Sequence, residues 1–244
     1  FQLFPLVSPI VFKVYDALSM FRCPNSYSMR AGRGQTILPH LRWKDNDNNP
    51  FIRYVSVFYE AIHNDARTNL AIAMSAAQYG ATVCNYVEAI NLLQDDESKV
   101  VVGATVYDHM TGKQINVRAR KVVLAGGPFT DLLRNMGNGG ESTPAVRGSA
   151  GTHIVVRGGI MDQNVGVLDF NTSDGRFLFM LPWLGHTLIG TTDVPSTAQT
   201  RHDPPEAEIE FLLHEAQRYL NVDLERSDVL SAWRGWRPLA VDPH

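Results

Sequence analysis

Residues 64–80 carry a helical pattern of apolar and polar positions. The apolar positions of this face are Ala66, Leu70, Ala73, Met74 and Ala77. Their spacing of three and four predicts an amphipathic helix. Asn64 is a favourable N-cap and Gly80 a favourable residue just after the last turn, so both ends of the helix are predicted. We expect this helix to dock on a sheet.

A second helical pattern covers residues 204–220. Its apolar face consists of Ile209, Leu212, Leu213, Ala216 and Leu220. The two prolines at the start of the segment suit the beginning of a helix, where the backbone N–H groups have no partner in the helix. The pattern predicts a long helix with one buried face.

Alternating or continuous apolar runs predict strands in the rest of the chain. Residues 99–120 form an antiparallel hairpin in this interpretation, because apolar and polar positions alternate in its second half. The run Val122–Ala125 is apolar throughout, which is typical of a strand buried on both faces. Gly126 and Gly127 end that run, and Pro128 occupies a position typical of a helix start.

The last third of the chain alternates between short apolar runs and turn residues. The predicted strands are "THIVVRG", "VGVLDF", "RFLFMLPWL", "HTLIGTTD" and "DVLSAWRGWRPL". These follow a helix, a strand at residues 81–93, the hairpin, and the strand–helix unit at residues 121–137. The chain is therefore predicted to be a mixed α/β protein whose second half is a mostly antiparallel sheet.

The first 21 residues are apolar, but Pro5, Pro9, Lys13 and Asp16 interrupt them well before the roughly 20 residues that a membrane-spanning helix needs. A buried helix with an irregular entry is the preferred interpretation, and an amphipathic segment at a membrane interface is the alternative. Residues 22–50 are polar, and "RAGRG" and "KDNDNNP" are predicted to be loops. The first residue is Phe1, and we expect the chain to be a fragment of a longer protein.

Composition narrows the class of protein. Of the 244 residues 44% are hydrophobic and 19% charged, which is typical of a globular protein. The net charge of −3 provides no broad basic surface, so nucleic acid is not expected as a partner. Cys23 and Cys84 lack a metal-binding spacing and are interpreted as small core residues, and no metal site is expected.

Candidate chemistry is concentrated at a few positions. "VVLAGGPF" would let an anionic ligand approach the backbone at a helix start, although a plain strand–helix connection has the same pattern. His153 follows a turn of small residues, which leaves room beside its ring for a ligand, but a structural histidine is the alternative. Arg237 lies among tryptophans and a proline and needs an anion, which is either a ligand or a carboxylate such as Asp242 or Asp193. Thr192 ends a strand, where composition favours a hydrogen-bonded strand end over a binding site.

Several motifs in this chain resemble a known family. They are "HNDARTNLAIAMSAAQYGA", "AGGPFTD", "SAGTHIVV", "TSDGR", "LPW", "IGTTDVP" and "GWRPL" with "DP". In this order and with these gaps the chain is similar to the FAD-dependent glycerol-3-phosphate dehydrogenases, and most to the mitochondrial form, from about Lys13 to the end. The departures are Gly126, where the family has Thr, and Trp236 and Arg234, where it has a small aliphatic and an uncharged residue.

The resemblance implies part of an FAD-binding domain of the glutathione-reductase-like type, and a substrate domain with a large antiparallel sheet. Residues 1–60 would be a cap segment, residues 61–136 part of the FAD domain and residues 137–244 the substrate domain. The G-x-G-x-x-G fingerprint is not in this sequence, so a missing N-terminal part would supply it, and the 244 residues alone would be inactive.

The resemblance also implies an activity and its site. The family oxidises sn-glycerol 3-phosphate to dihydroxyacetone phosphate, and the electrons pass to ubiquinone at the mitochondrial inner membrane, to which the enzyme binds peripherally. His153 and Arg237 would be catalytic, and both would bind substrate together with Thr192. The residues that would contact FAD are Val87, Ala125, Gly126, Gly127 and Pro128. A homodimer is left open.

Two other interpretations remain. A flavin-dependent amine or amino-acid oxidase of the same fold also uses an arginine to bind a carboxylate. A non-catalytic binding protein that has kept the fold is the second. "GTTD" together with "RPL" and "DP" favours the phosphate substrate over the first. Arg234 should face away from Arg237, because residues three apart on a strand lie on opposite faces, and Arg234→Lys is expected to change little.

Overall fold

The computed structural model describes residues 4–137, 139–140, 142–162, 164–170, 172–200 and 203–242, and these form two compact units. Unit 1 contains Phe1–Ile62, Gly151–Asp193 and His202–Arg234. Unit 2 contains His63–Ala150, Val194–Arg201 and Gly235–His244. Each unit is thus assembled from separate stretches of the chain. The assignment of residues 1–60, 61–136 and 137–244 to functional domains stays a prediction.

The elements confirm a mixed α/β fold with antiparallel sheets. The helices are α1 (Phe4–Leu18), α2 (Ala31–Ile37), α3 (Asp65–Gln78), α4 (Thr130–Gly137) and α5 (Glu206–Tyr219). The first five strands are β1 (Tyr27–Arg30), β2 (Tyr54–Val57), β3 (Val87–Gln94), β4 (Val101–Asp108) and β5 (Lys113–Arg118). The others are β6 (Val146–Val156), β7 (Val167–Asp169), β8 (Leu178–Trp183), β9 (His186–Gly190), β10 (Val194–Pro195) and β11 (Val229–Ala240).

Unit 1 is built on an antiparallel sheet with the strand order β6–β9–β8–β7, and β11 pairs with β6. Helix α5 covers one face of this sheet with the apolar side chains that its sequence pattern predicted. Its residues Ile209, Leu212, Leu213 and Ala216 are buried, as is Leu220 just beyond its end. They join a core that includes Ile154, Val156, Leu178, Met180 and Ile189 from the strands. The second helical pattern of the sequence is therefore confirmed.

The register of this sheet decides which side chains face away from α5. Ile154 lies opposite Ile189, and both contribute to the core under the helix. Because side chains alternate between the two faces of a strand, the preceding residue, His153, points to the other face. There it lies opposite Gly190, and Gly190 in turn lies opposite Phe179.

Unit 2 contains the three-stranded antiparallel sheet β3–β4–β5. Its hairpin β4–β5 confirms the alternation in residues 99–120, with Val106 opposite Ile115. The side chains of β5 are exposed throughout, including the apolar Ile115 and Val117. Helix α4 packs against β3 in the same unit. The predicted strand at residues 81–93 is shorter than expected, because only Val87–Gln94 pairs with β4.

Two predictions for unit 2 are wrong. Val122–Ala125 is not a strand, and Val123 is 86% exposed. A strand requires hydrogen-bonded neighbours, and none of the described strands pairs with these residues. Helix α3 has the predicted ends, since Asn64 Oδ1 accepts the Arg67 N–H and Gly80 has a φ of +89°. It has no buried residue, however, so in the described part of the chain it is not docked on a sheet.

Three expectations for the polar and N-terminal segments are also wrong. The "RAGRG" segment is the start of α2 rather than a loop. Gly34 allows this helix to pack against Trp43, because a side chain at position 34 would collide with the Trp43 ring. Helix α1 forms, but Ile10, Val14 and other apolar side chains on it are exposed rather than buried. Both cysteines are exposed rather than in the core. None of the helices in the described ranges is long and apolar enough to cross a bilayer.

Candidate functional site

The imidazole of His153 lies between aromatic side chains, on the face of the unit 1 sheet that is opposite α5. Its ring is stacked on Trp233, with centroids 5.4 Å apart and planes 10° from parallel. Phe179 contacts it at an angle, with centroids 5.6 Å apart. Gly190 is required at its position, because a Cβ there would lie 3.0 Å from Phe179 and overlap the His153 ring. His153 is partly exposed, so a ligand can reach this face.

The strand end beside His153 is fixed by hydrogen bonds on the other side of the sheet. The backbone N–H of Thr152 donates to Thr192 Oγ1 over 2.8 Å. The hydroxyl of Thr192 donates to Glu208 Oε2 over 2.8 Å, and the hydroxyl of Thr152 donates to the same oxygen. Both threonines are fully buried. The hydrogen-bonded strand end that composition favoured for Thr192 is therefore present, while its contact with substrate stays a prediction.

Arg234 completes this group on the side facing α5. Its Nη2 lies 3.0 Å from Glu208 Oε1, and the two side chains are 7% and 15% exposed. A pair so far removed from water is destabilised strongly when one partner is lost, because the other charge then remains buried. Arg234 is therefore held in an ion pair inside unit 1. Because lysine keeps the positive charge, the small effect expected for Arg234→Lys stays a prediction.

The predicted cofactor-binding residues lie in unit 2, and all of them except Val87 lie just before the start of α4. Gly127 has a φ of +53° and lies in a short 3-10 turn with Pro128, directly before the helix. Apart from its two chain neighbours, no residue has an atom within 4 Å of where its Cβ would be, so this side of its backbone is open to a ligand. A Cβ on Gly126 would lie 2.7 Å from the side chain of Leu133, which explains a glycine there. Ala125 is exposed, and Val87 is 38% exposed at the start of β3.

Asp131 anchors this helix start. Its carboxylate accepts the backbone N–H groups of Ala145 and Val146 at 3.0 and 3.1 Å and pairs with Arg134 at 2.8 Å. The bond from Ala145, followed by that from Arg134, lowers the pKa of Asp131. The residues that open β6 are thereby tied to the first turn of α4 within unit 2.

Arg237 belongs to the part of β11 that lies in unit 2, whereas His153 and Thr192 belong to unit 1. Its neighbour Trp236 points its indole Nε1 at Ser196 Oγ, 3.4 Å away. Gly148 lies beside the same pair, where a Cβ would come within 3.5 Å of Trp236. The catalytic and substrate-binding roles of Arg237 and His153 stay predictions.

Sequence reasoning missed Glu208 and Thr152 as parts of the site, and it named Trp233 as a neighbour of Arg237 without placing it against His153. Glu208 occupies the first turn of α5, where an acidic residue is common at any helix start. The unusual Arg234 was the available signal, because a buried arginine on a strand needs a carboxylate. Among the described residues no group of three or more His, Cys, Asp or Glu side chains could hold a metal ion.

Comparison with known proteins identifies a family and relatives to which this chain is similar. The family model described as FAD dependent oxidoreductase matches residues 31–244. The mitochondrial glycerol-3-phosphate dehydrogenase of Rattus norvegicus is 42% identical over 238 residues, which is 95% of this chain and 32% of the rat protein. The chain thus spans about a third of the length of the curated relatives it matches.

Solved structures agree with this comparison. The glycerol-3-phosphate dehydrogenase of Bacillus halodurans, crystallised with FAD, is 29% identical with a TM-score of 0.71. The match covers 88% of this chain and 42% of that one. The glycine oxidase of Geobacillus kaustophilus, at 20% identity and a TM-score of 0.66 over 94% of this chain and 55% of its own, is similar in fold alone.

Proposed function

This chain belongs to the FAD dependent oxidoreductase family, and from that premise we propose that the protein that carries it oxidises sn-glycerol 3-phosphate to dihydroxyacetone phosphate. The observation that carries the proposal is the 42% identity to a glycerol-3-phosphate dehydrogenase over 95% of this chain. The family match, over residues 31–244, extends through both units and takes in the segments of His153 and Arg237.

The residues around α4 fit a large anionic cofactor such as FAD. The backbone at Ala125, Gly126 and Gly127 is accessible, and the space above Gly127 is empty of side chains. The N–H groups of a helix start point toward a ligand placed there and favour negative charge. We assign FAD contacts to these residues, to Pro128 and to Val87. When bound, FAD supplies the acceptor for the hydride that leaves C2 of the substrate.

His153 is proposed to act on the C2 hydroxyl. As hydride leaves C2, the oxygen loses its proton and the C–O single bond becomes a carbonyl. An imidazole within hydrogen-bond reach takes that proton, and neutral histidine is suited to this at physiological pH. Trp233 and Phe179 contact the His153 ring and shield it from water on two sides.

Arg237 is proposed to bind the phosphate of the substrate. A guanidinium can offer two parallel N–H groups to phosphate oxygens, which fixes both the position and the orientation of the anion. A direct contact of Thr192 with the substrate is not part of the proposal, because the residue is fully buried and its hydroxyl already donates to Glu208.

The wider setting belongs to the same proposal. The rat relative is described as mitochondrial, which supports a mitochondrial location for this protein. Ubiquinone as the final electron acceptor, peripheral binding to the inner membrane and a homodimer are the finer parts of the proposal.

The test is an anaerobic reduction experiment on the full-length protein. We expect a yellow protein with a stoichiometric flavin spectrum, which sn-glycerol 3-phosphate bleaches while glycine and sarcosine do not. Bleaching by an amino acid alone would favour the amine oxidase interpretation. A colourless protein, or a flavin that none of these compounds reduces, would favour a binding protein that has kept the fold.

A further inference from the structure

We infer that Glu208 positions the imidazole of His153 from the opposite face of the sheet, through Thr152, Thr192 and Arg234. The inference rests on the proposed function in one respect, namely that His153 acts on the substrate. Glu208 itself touches neither the ring nor the face on which the ring lies, so it is a positioning residue.

Two pairs of consecutive residues carry the geometry. Thr152 and His153 follow one another on β6, and Trp233 and Arg234 follow one another on β11, which pairs with β6. Because neighbours on a strand point to opposite faces, each strand contributes one residue to each side. His153 and Trp233 are stacked on one side, while Thr152 and Arg234 both bind Glu208 on the other.

Glu208 joins three segments at a single carboxylate: β6 through Thr152, the residues after β9 through Thr192, and β11 through Arg234. One oxygen accepts the hydroxyls of Thr152 and Thr192, and the other pairs with Arg234 at 3.0 Å. Thr192 also accepts the backbone N–H of Thr152, so Thr152, the residue before His153, is held through both its side chain and its N–H. Since these groups are almost completely buried, their hydrogen bonds are strong and directional.

Because these hydrogen bonds fix Thr152, they also set the direction in which the side chain of the next residue, His153, leaves the strand. On the ring's own side, the aromatic contacts with Trp233 and Phe179 restrict the tilt of the ring. A misplacement of about 1 Å at a catalytic group can reduce the rate by about 100-fold. The carboxylate on the far face therefore contributes to turnover without contacting substrate.

The experiment measures Glu208→Gln in the full-length flavoprotein, in the wild-type and in the His153→Ala background. In the wild-type background we expect kcat to fall by roughly 10- to 100-fold with a smaller change in KM. In the His153→Ala background the same substitution should change kcat by less than about twofold, because the group that it positions is gone. A purely structural effect would reduce kcat by the same factor in both backgrounds.

The matched control is Glu206→Gln. Glu206 lies on the same helix and pairs with Arg226, but both side chains are more than half exposed, so kcat should be unchanged in both backgrounds. If Glu208→Gln does not fold because Arg234 is left unpaired, Glu208→Gln combined with Arg234→Met removes both charges and should show the same dependence on His153. Equal effects in the two backgrounds, or no effect in either, would overturn the inference.

A crystal structure of the Glu208→Gln protein separates this inference from the proposed function. If the wild-type protein does not oxidise glycerol 3-phosphate, the proposed function fails, but the position of the ring can still be read. A shift of the His153 centroid by about 1 Å or more relative to Trp233, of the order that affects catalysis, would support the positioning role. A ring that stays 5.4 Å from Trp233 would contradict it.

Discussion

Helices α3 and α5 are both 14 residues long and both carry an apolar stripe with helical spacing, yet they end in opposite environments. Four residues of the apolar stripe of α5 are buried within the helix, with Leu212 fully buried. Helix α3 has no buried residue, and its Leu70 and Met74 are 51% and 57% exposed. The two helices show that a periodic pattern identifies a face but not what covers it.

The covering surface comes from residues far away in the sequence. Beneath α5 lie Ile154, Leu178 and Ile189, which three different strands bring to one face of the unit 1 sheet. The ends of α3 depend instead on local chemistry, since Asn64 and Gly80 act on their own turns. Local signals were therefore sufficient to place both helices, while burial depended on the assembly of the sheet.

The largest expected effect is on stability and concerns α5. Leu212→Ala should lower the free energy of unfolding by about 2–5 kcal/mol, because it removes a fully buried side chain and leaves a cavity between helix and sheet. Urea denaturation of the full-length protein, followed by circular dichroism, measures the change.

The matched substitution on α3 is Leu70→Ala. With half of the side chain already in water, its expected cost is within about 0.5 kcal/mol. A cost at Leu70 as large as that at Leu212 would break the comparison, since it would mean that a surface outside the described residues covers α3.

The next effect is on catalysis and belongs to unit 1. His153→Ala should lower turnover by about 100-fold or more, as expected for a lost general base. Binding of dihydroxyacetone phosphate should change much less, because the imidazole acts on charge that develops during the reaction. Stopped-flow reduction of the flavin and a product-inhibition constant measure the two quantities. Unchanged turnover would return His153 to a structural role.

A smaller catalytic effect is expected for unit 2. Arg237→Lys keeps the positive charge but loses the two-pronged grip on phosphate. We expect KM for glycerol 3-phosphate to rise, with a loss of roughly 1.5–3 kcal/mol in transition-state binding from kcat/KM. Arg120→Lys, at an exposed position of the same unit, should leave the kinetics unchanged. Unfolding of the Arg237→Lys protein without a change in substrate kinetics would make the arginine structural.

The sequence was sufficient for features that depend on neighbours along the chain. The caps of α3, the β4–β5 hairpin and the helical span of α5 are all present as predicted. The strand expected at Val122–Ala125 is absent, because an apolar run is only a strand when other strands pair with it. The helix α1 was predicted correctly from its own residues. Its burial was predicted wrongly, because burial also depends on other elements that pack against it.

The network behind His153 could not be predicted from the sequence. Thr152, Thr192, Glu208 and Arg234 are separated by up to 82 positions in the numbering, and no single motif contains two of them. Only the register of β6 against its neighbours places them on one face. Arg234 stands out in the sequence as a departure from the family, but its partner could not be chosen among the many acidic residues.

The smallest expected effect concerns α4, whose anchor to β6 is electrostatic rather than apolar. The Asp131 carboxylate accepts the N–H groups of Ala145 and Val146, and the first of these bonds is the largest cause of its lowered pKa. An unfolded aspartate titrates near pH 4, at about 3.9. Since the pKa of the folded group lies below that value, the anchor contributes fully at neutral pH and is lost as the pH falls below about 4.

Asp131→Asn should thus lower the Tm at pH 7, and the difference from wild type should shrink toward pH 3. Asp96→Asn, in an exposed turn of the same unit, should show no such convergence. A difference at Asp131 that persists unchanged at pH 3 would mean that the carboxylate acts by its shape rather than by its charge.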